Sequence, residues 1–264
     1  MGALHYLRIW LAGARYSMVR TMMFRFDTLM WTLVEFFWMG VNLLLIGVVY
    51  SHTDDIAGWN RNEMILLVGT AMLLQRLAMG LFWTNLFEMG RNIRSGHFDF
   101  FLCQPGNPVM MVSTRKLDPD ALFNAIIAIG VIVYAVRELG LQPGPLQIGL
   151  YALMVGLGLV IHYAALLLIT STTFWLIGSQ GIEGSYFTLF EFGRLPREAM
   201  RGAVAIVFVY GLPAVVASNA PASTLIHGFD WTHLLWLCGL ACGWLTLALW
   251  VFNRGLRRYS SASS

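Results

Sequence analysis

Residues 148–177 read IGLYALMVGLGLVIHYAALLLITSTTFWLI, thirty residues without a single Asp, Glu, Lys or Arg. A helix that crosses the hydrocarbon core of a membrane needs about 20 predominantly apolar residues, because each residue adds only about 1.5 Å to its length. The stretch exceeds this requirement, and His162 is the only side chain in it that titrates near neutral pH. We therefore predict a membrane-spanning helix here, long enough to be tilted or broken.

Further apolar stretches of the same kind lie on both sides of this segment. They occupy residues 28–50, 63–89, 119–137, 202–218 and 231–253. Over the whole chain 58% of residues are hydrophobic and 12% are charged, whereas a soluble domain has about 25% charged residues. This composition excludes a disordered chain, a disulfide-rich scaffold and an ordinary soluble enzyme. We predict an all-α polytopic membrane protein, a single transmembrane domain over residues 1–264 with six spanning helices.

The basic residues indicate how the chain is oriented. With six spans, one face receives fourteen of them: four in the amino-terminal segment, four in the 90–118 loop, three in the 178–201 loop and three in the tail. The opposite face holds Arg61 and Arg137. Because Lys and Arg accumulate on the cytoplasmic side, we expect both termini in the cytoplasm. Residues 3–26 alternate apolar side chains with arginines, which predicts an amphipathic helix at the membrane interface, in contact with lipid.

The chain lacks the motifs by which an enzyme would hydrolyse a nucleotide or attack a substrate. A Walker A loop needs a glycine-rich turn followed by Lys, and the only lysine, Lys116, lies in TRKLDPD. Neither HExxH nor GxSxG occurs. Cys103 stands alone in a polar loop, and no His or acidic residue joins Cys238 and Cys242 to complete a metal site. We expect no catalytic residue, metal or cofactor in this chain. Its net charge of +3 gives no indication of nucleic-acid binding.

Five polar side chains fall inside the predicted spans, where such groups are costly and often functional. They are Glu35, Asn42, Gln75, Arg76 and His162. A rise of about 1.5 Å per residue places most of them near the middle of the membrane, with Glu35 nearer the cytoplasm and partly within reach of Arg76. They form either the lining of a translocation path or a polar layer that only holds helices together. Replacement of Arg76 by leucine separates the two hypotheses, because lost transport with intact assembly favours the first.

The loop RNIRSGHFDFFLCQPGNPV, residues 91–109, is the most informative connection between spans. Arginines and a Ser95-Gly96 turn come first, a run that mixes Phe with Asp99 follows, and prolines end it. This pattern predicts a short amphipathic helix beneath the membrane. Its aromatic side chains would anchor it in a groove of a partner protein or, alternatively, rest on lipid.

Three parts of the sequence resemble the permease subunits of small six-span bacterial ABC-2 type exporters. They are Ile93-Arg94-Ser95-Gly96 with Asp99, Leu102 and Pro105; Gly193-Arg194-Leu195-Pro196 with Pro213 and Pro221-Ala222 further on; and the tail Arg254-Gly255-Leu256-Arg257-Arg258-Tyr259-Ser260-Ser261-Ala262. The resemblance covers nearly the whole chain in order and spacing. It leaves the substrate open, because the class exports drugs, peptides, lipids and polysaccharides.

The resemblance implies a function in the bacterial cytoplasmic (inner) membrane that composition alone does not indicate. Permeases of this kind form homodimers or pair with a sister permease, and two separate ATPase subunits supply energy from ATP and Mg. It implies an outer gate near Pro221 and an ATPase-coupling segment made of Arg94, Ser95, Gly96, His97, Phe98, Asp99, Phe100, Phe101 and Leu102. The alternatives are a membrane scaffold protein and an intramembrane lipid-modifying enzyme.

Overall fold

The computed structural model describes residues 3–176, 182–211 and 213–260, so Ser261 and Ala262 of the tail lie outside it. Within these ranges the chain is helical and has no β-strand. The helices are α1 (Ala3–Met23), α2 (Arg25–Tyr50), α3 (Arg61–Arg94), α4 (Phe98–Leu102), α5 (Pro108–Ser113), α6 (Pro119–Glu138), α7 (Pro145–Ser171), α8 (Ile182–Glu191), α9 (Ala203–Val209), α10 (Ala214–Ile226) and α11 (Trp231–Arg258). The predicted all-α class is confirmed.

Five helices of the described chain are long and apolar enough to cross a membrane: α2, α3, α6, α7 and α11. They correspond to the predicted spans 28–50, 63–89, 119–137 and 231–253 and to the described part of 148–177. α9 and α10 make a sixth candidate only as a pair, and the two helices are bent by 78°. The chain is therefore a multi-pass membrane protein with five or six spans.

The connections between helices define two ends of the bundle. We call residues 51–60, 139–144 and 227–230 the short-loop end, and residues 95–118 with the carboxyl end of α11 the basic end. α3 lies at the centre, where it packs against α6, α7 and α10, and α7 in turn packs along α11. The inner face of the bundle consists mostly of aliphatic side chains, with Leu, Met, Ala and Val from these helices fully buried.

Two helices at the edge of the bundle bury little of their surface. α2 has only Met39 and Ile46 buried, and large apolar side chains project from its other sides. α1 is helical over Ala3–Met23, within the predicted 3–26 segment, and exposes most of its apolar residues. Exposed apolar surface of this extent is suited to contact with lipid or with a second chain.

The predicted fifth span, 202–218, is wrong as a single helix. Gly202 has a φ of +60° and precedes the short α9, and α10 follows only after the bend. Pro221, expected in a turn before the last span where the resemblance implies an outer gate, lies inside α10. Proline offers no N–H to the carbonyl four residues earlier, that of Ala217. Gly158 of α7 packs against this carbonyl, and an added Cβ there would lie 3.0 Å from its oxygen. Packing against α7 therefore holds this segment in a helix despite the proline.

The connection 178–201, expected at the cytoplasmic face, crosses the bundle in its described part. It begins with α8 and reaches the short-loop end, where the indole N–H of Trp59 donates a 3.0 Å hydrogen bond to Glu198. Arg194 and Arg197, two of the fourteen basic residues assigned to the cytoplasmic face, therefore lie elsewhere. The prediction was wrong because α8 is short and its sequence alone resembles a connection.

This placement predicts the outcome of cysteine labelling in intact cells. In a background with the native cysteines replaced by serine, Asp54→Cys and Arg197→Cys should give the same result with an impermeant thiol reagent, because both positions lie at the short-loop end. Native Cys103, restored alone, should give the opposite result because it lies at the basic end. Labelling of position 197 together with Cys103 would contradict the described path of the chain.

Candidate functional site

Two of the polar side chains predicted to lie within the membrane form an ion pair. Nη2 of Arg76, in α3, donates to Oε2 of Glu35, in α2, and Nη1 of Arg76 lies 3.8 Å from the sulfur of Met79. The Arg76 side chain is 8% exposed and the Glu35 side chain 25%. The sequence analysis placed Glu35 only partly within reach, and the length of the arginine side chain closes the remaining distance. Removing two charges from water is costly. The Glu35–Arg76 pair is therefore a specific feature of the contact between α2 and α3.

Arg194 joins the remaining two predicted residues of this region. It lies in a turn after α8, and its guanidinium donates to Asn42 Oδ1 at 2.9 Å and to Gln75 Oε1 at 3.0 Å. Glu191 lies 3.2 Å from Nη1 of Arg194, whose side chain is 12% exposed. Arg194 was not predicted as a residue of this site, because residues 178–201 were expected at the cytoplasmic face. The available signal was the stretch Gly193-Arg194-Leu195-Pro196, which contributed only to the family resemblance.

α10 fixes the turn that carries Arg194. An added Cβ on Gly193 would lie 2.9 Å from the carbonyl oxygen of Ala214, so only glycine allows the two backbones to approach this closely. Asn219 donates to the carbonyl of Leu195 at 3.0 Å and accepts a 3.0 Å hydrogen bond from the backbone N–H of Arg197. The position of Arg194 is therefore set by packing and by backbone hydrogen bonds.

We name these six side chains the polar network. Its members are Glu35, Asn42, Gln75, Arg76, Glu191 and Arg194. Its contacts form two sets, the Glu35–Arg76 pair and Arg194 with its three partners, which together involve α2, α3, α8 and the turn after it. Its two arginines balance its two carboxylates. It contains neither a nucleophile with its base nor, in the described part of the chain, a group of three His, Cys, Asp or Glu able to hold a metal ion.

His162, also predicted for the midplane layer, contacts a different set of residues. Its Nδ1 lies 2.8 Å from the Tyr186 hydroxyl, and its ring stacks on Phe190 with 3.8 Å between centroids. Tyr186 in turn contacts Trp83 of α3. The described contacts therefore place His162 in an aromatic cluster between α7 and α8, apart from the polar network.

An open cavity of about 370 Å³ adjoins the polar network. Apolar side chains of α2 and α3, including Leu45, Val49 and Val68, form most of its wall. Asn42, Glu191 and Arg194 also line it. A cavity with apolar walls and a few convergent polar groups is suited to a ligand with an apolar body and a polar group.

The predicted coupling segment forms the expected short helix, α4, at the basic end. α3 ends at Arg94, and Gly96 takes a φ of +74°, a conformation that favours glycine and turns the chain. Ser95 Oγ lies 2.9 Å from His97 Nδ1 just before α4. Asp99 and Leu102 are partly buried.

The aromatic side chains of α4 divide between the inside and the outside of the protein. Phe98 is fully buried and contacts the rings of Phe174 and Tyr259, with centroids 5.6 and 5.1 Å away. Phe101 is also buried, and the guanidinium of Arg115 lies 4.6 Å from its ring centroid. Phe100 is 62% exposed. Of the three, only Phe100 is placed to contact a partner protein.

Comparison with known proteins gave one match. A family described as "ABC-2 family transporter protein" matches residues 36–263 of the chain. This range begins within α2, includes all of the polar network except Glu35, and contains α4 and every later helix. No curated protein and no solved structure matches the chain.

Proposed function

The chain belongs to the ABC-2 family of transporters, because the family match covers most of its length, and on this premise we propose that it is the permease subunit of an exporter powered by a separate ATPase. In this proposal the ATPase binds ATP and Mg, and the permease catalyses no reaction. The complex lies in a bacterial cytoplasmic membrane with both termini of the permease inside.

The observation that carries this proposal is the polar network beside an open apolar cavity. Two arginines that are 8% and 12% exposed are expensive inside a membrane, even with the carboxylates of Glu35 and Glu191 beside them. A protein that only bound partners at its surface would have no need of them. The network joins the edge helix α2 to the central α3, so a displacement of either helix would change the cavity wall formed by Asn42 and Arg194.

The exposure of α2 supports a dimer. This helix forms one wall of the cavity, and its other sides expose many apolar side chains. A second permease, either another copy or a sister chain, would cover part of this surface and enclose the cavity. The translocation path in this proposal lies between the two permeases, with the polar network on its wall.

Docking of the ATPase is assigned to the outward face of the coupling segment. Arg94, Ser95, His97 and Phe100 are exposed there, whereas Phe98 and Phe101 hold α4 against the rest of the chain. An exposed aromatic side chain beside basic residues is a favourable anchor for a groove on a partner. We call the rings packed beneath α4 the aromatic seat; they belong to Phe98, Phe174, Phe252 and Tyr259. In this proposal the aromatic seat transmits a displacement of α4 to the rest of the chain.

The proposal predicts different results for two neighbouring substitutions. Phe100→Asp should abolish co-purification of an ATP-hydrolysing subunit while the chain remains monodisperse, because Phe100 is exposed. Phe98→Asp should instead destabilise the chain, because it places a charge in a fully buried aromatic cluster. The measurements are affinity purification from membranes and size-exclusion chromatography in detergent.

Met110→Asp is the matched control, because Met110 is an exposed apolar residue of α5 at the same end of the bundle. It should leave ATPase binding intact. If Phe100→Asp binds the ATPase as the parent chain does, the docking assignment is wrong. If no ATPase accompanies the parent chain and the chain is stable alone, the scaffold alternative replaces the transport proposal.

A further inference from the structure

Residues 114–118 form an extended strap between α5 and α6 at the basic end. The function proposed above uses none of them. The backbone of this strap is nevertheless held by side chains and carbonyls from several helices. Lys116, the only lysine of the chain, lies at its centre.

Asn85 of α3 binds the strap backbone on both sides of one residue. Its Oδ1 accepts from Lys116 N–H at 2.8 Å, and its Nδ2 donates to the Lys116 carbonyl at 2.7 Å. The ammonium group of Lys116 donates to both carboxylate oxygens of Glu88, one turn further along α3, at 2.7 Å. Asn85 is 6% exposed. Only an amide side chain supplies a donor and an acceptor side by side in this way.

The amino-terminal helix is attached to the same strap. Ser17 of α1 is buried, and its Oγ accepts from Leu117 N–H at 3.0 Å while donating to the Gly13 carbonyl at 3.0 Å. An added Cβ on Gly13 would overlap the carbonyl oxygen of Arg115. α1 therefore rests directly on the strap, with backbone against backbone.

The strap also contacts α3 just below the polar network. Residues 79–83 of α3 form a π-helical turn, in which Gly80 accepts a 2.8 Å hydrogen bond from the N–H of Asp118. π-helical turns frequently occur at functional sites. Gly80 lies four residues after Arg76, about 6 Å along the helix axis.

We propose that Asn85 is a positioning residue that locks α1, the strap and the inner half of α3 into one moving body. Under the proposed function, on which this inference rests, displacement of α4 by the ATPase reaches the strap where Arg115 lies over the ring of Phe101. Through the same body it then reaches α1 and, along α3, Arg76. Without the Asn85 clamp, α1 moves independently of α3, and the polar network does not respond to nucleotide.

The first test measures the clamp in the purified full-length chain, without an ATPase. Spin labels at Arg15→Cys in α1 and Arg91→Cys in α3, in the cysteine-free background, should give one narrow distance. Asn85→Leu should lose it and give a broad distribution. Gly13→Ala displaces α1 from the strap without altering Asn85, and it should also give a broad distribution. It replaces Asn85→Leu in this test if that variant fails to fold.

Two matched controls should retain the narrow distance. Asn92→Leu removes an amide from the same helix seven residues on, and Gly40→Ala adds a methyl group where nothing lies within 4 Å. A narrow distance in both Asn85→Leu and Gly13→Ala would overturn the proposed clamp. Equal broadening in the controls would also overturn it, because the effect would then be unspecific.

The second test measures transmission in the complex with its ATPase. Labels at Asp54→Cys and Arg197→Cys, at the short-loop end, should change their separation when the ATPase is trapped with nucleotide and vanadate. Asn85→Leu should abolish this change while the ATPase still binds and hydrolyses ATP, which a purely structural defect would not allow. Persistence of the change in Asn85→Leu overturns the inference. If the parent complex shows no change in label separation, or if no ATPase binds the parent chain, the proposed function is contradicted. The first test then still shows whether Asn85 holds α1 to α3.

Discussion

Replacement of Arg76 by leucine is expected to lower the free energy of unfolding by about 3–5 kcal/mol, because it leaves the partly buried carboxylate of Glu35 without its partner. Thermal unfolding of the detergent-solubilised chain measures this loss. Arg91→Leu is the control, because Arg91 is 70% exposed and pairs with Glu88 at 3.4 Å. Exposed pairs contribute at most about 1 kcal/mol, so this variant should unfold almost as the parent chain does.

The double variant Glu35→Leu/Arg76→Leu decides what the pair is for. Two apolar side chains can replace a buried ion pair without loss of stability, so the double variant should recover most of the stability that Arg76→Leu loses. If the pair belongs to the transport path, the reconstituted complex should still lack the permease-dependent part of ATP hydrolysis. Full recovery of both stability and hydrolysis would show that the pair only holds α2 to α3.

Gly255→Ala is expected to destabilise the chain by about 1–3 kcal/mol, the usual cost of overpacking a filled core. An added Cβ at Gly255 of α11 would lie 2.7 Å from Cγ of Phe174 and would displace that ring. Phe174 supports Phe98, which seats α4. The coupling segment should therefore loosen, and protease cleavage within 95–107 should become faster.

Gly243→Ala isolates the steric effect, because Gly243 lies in the same helix and an added Cβ meets nothing within 4 Å. Both substitutions remove a helix-interior glycine, which alone should stabilise the helix by up to about 1 kcal/mol. Gly243→Ala should therefore unfold at the same temperature as the parent chain or slightly higher. Equal unfolding temperatures for the two variants would mean that the Phe174 ring moves aside freely and that the aromatic seat is not rigid.

The long apolar helices could be predicted from the sequence, whereas the segment 182–226 could not. Hydropathy identifies α2, α3, α6, α7 and α11 because each contains about 20 consecutive, predominantly apolar residues. α10 is buried in protein and is rich in Ala and Ser, so its burial depends on neighbours that a local window does not contain. The same reason explains the wrong placement of Pro221.

The candidate site shows the same division between local and long-range information. The depth of Glu35 and Arg76 follows from counting residues along two helices, and the structure brings them into contact. Arg194 and Asn85 were not predicted as site residues, because they hydrogen-bond to groups that lie more than 30 positions away in the chain. Likewise, composition marks α4 as amphipathic but does not distinguish the inward Phe98 from the outward Phe100.

α10 has a consequence for how the protein is made. Its Ser218 and Asn219 bond to the backbone around residues 193–197, and Thr224 contacts Met154 of α7. A helix that leaves such groups facing lipid is penalised, so α10 gains little by leaving the translocon for lipid on its own. Its insertion therefore depends on docking to α7 and to the turn at Arg194, both of which precede α10 in the chain and are synthesised before it. Biogenesis of this chain thus includes an assembly step, in which α10 is recruited by protein and not by the bilayer, while α11 follows it as an apolar span.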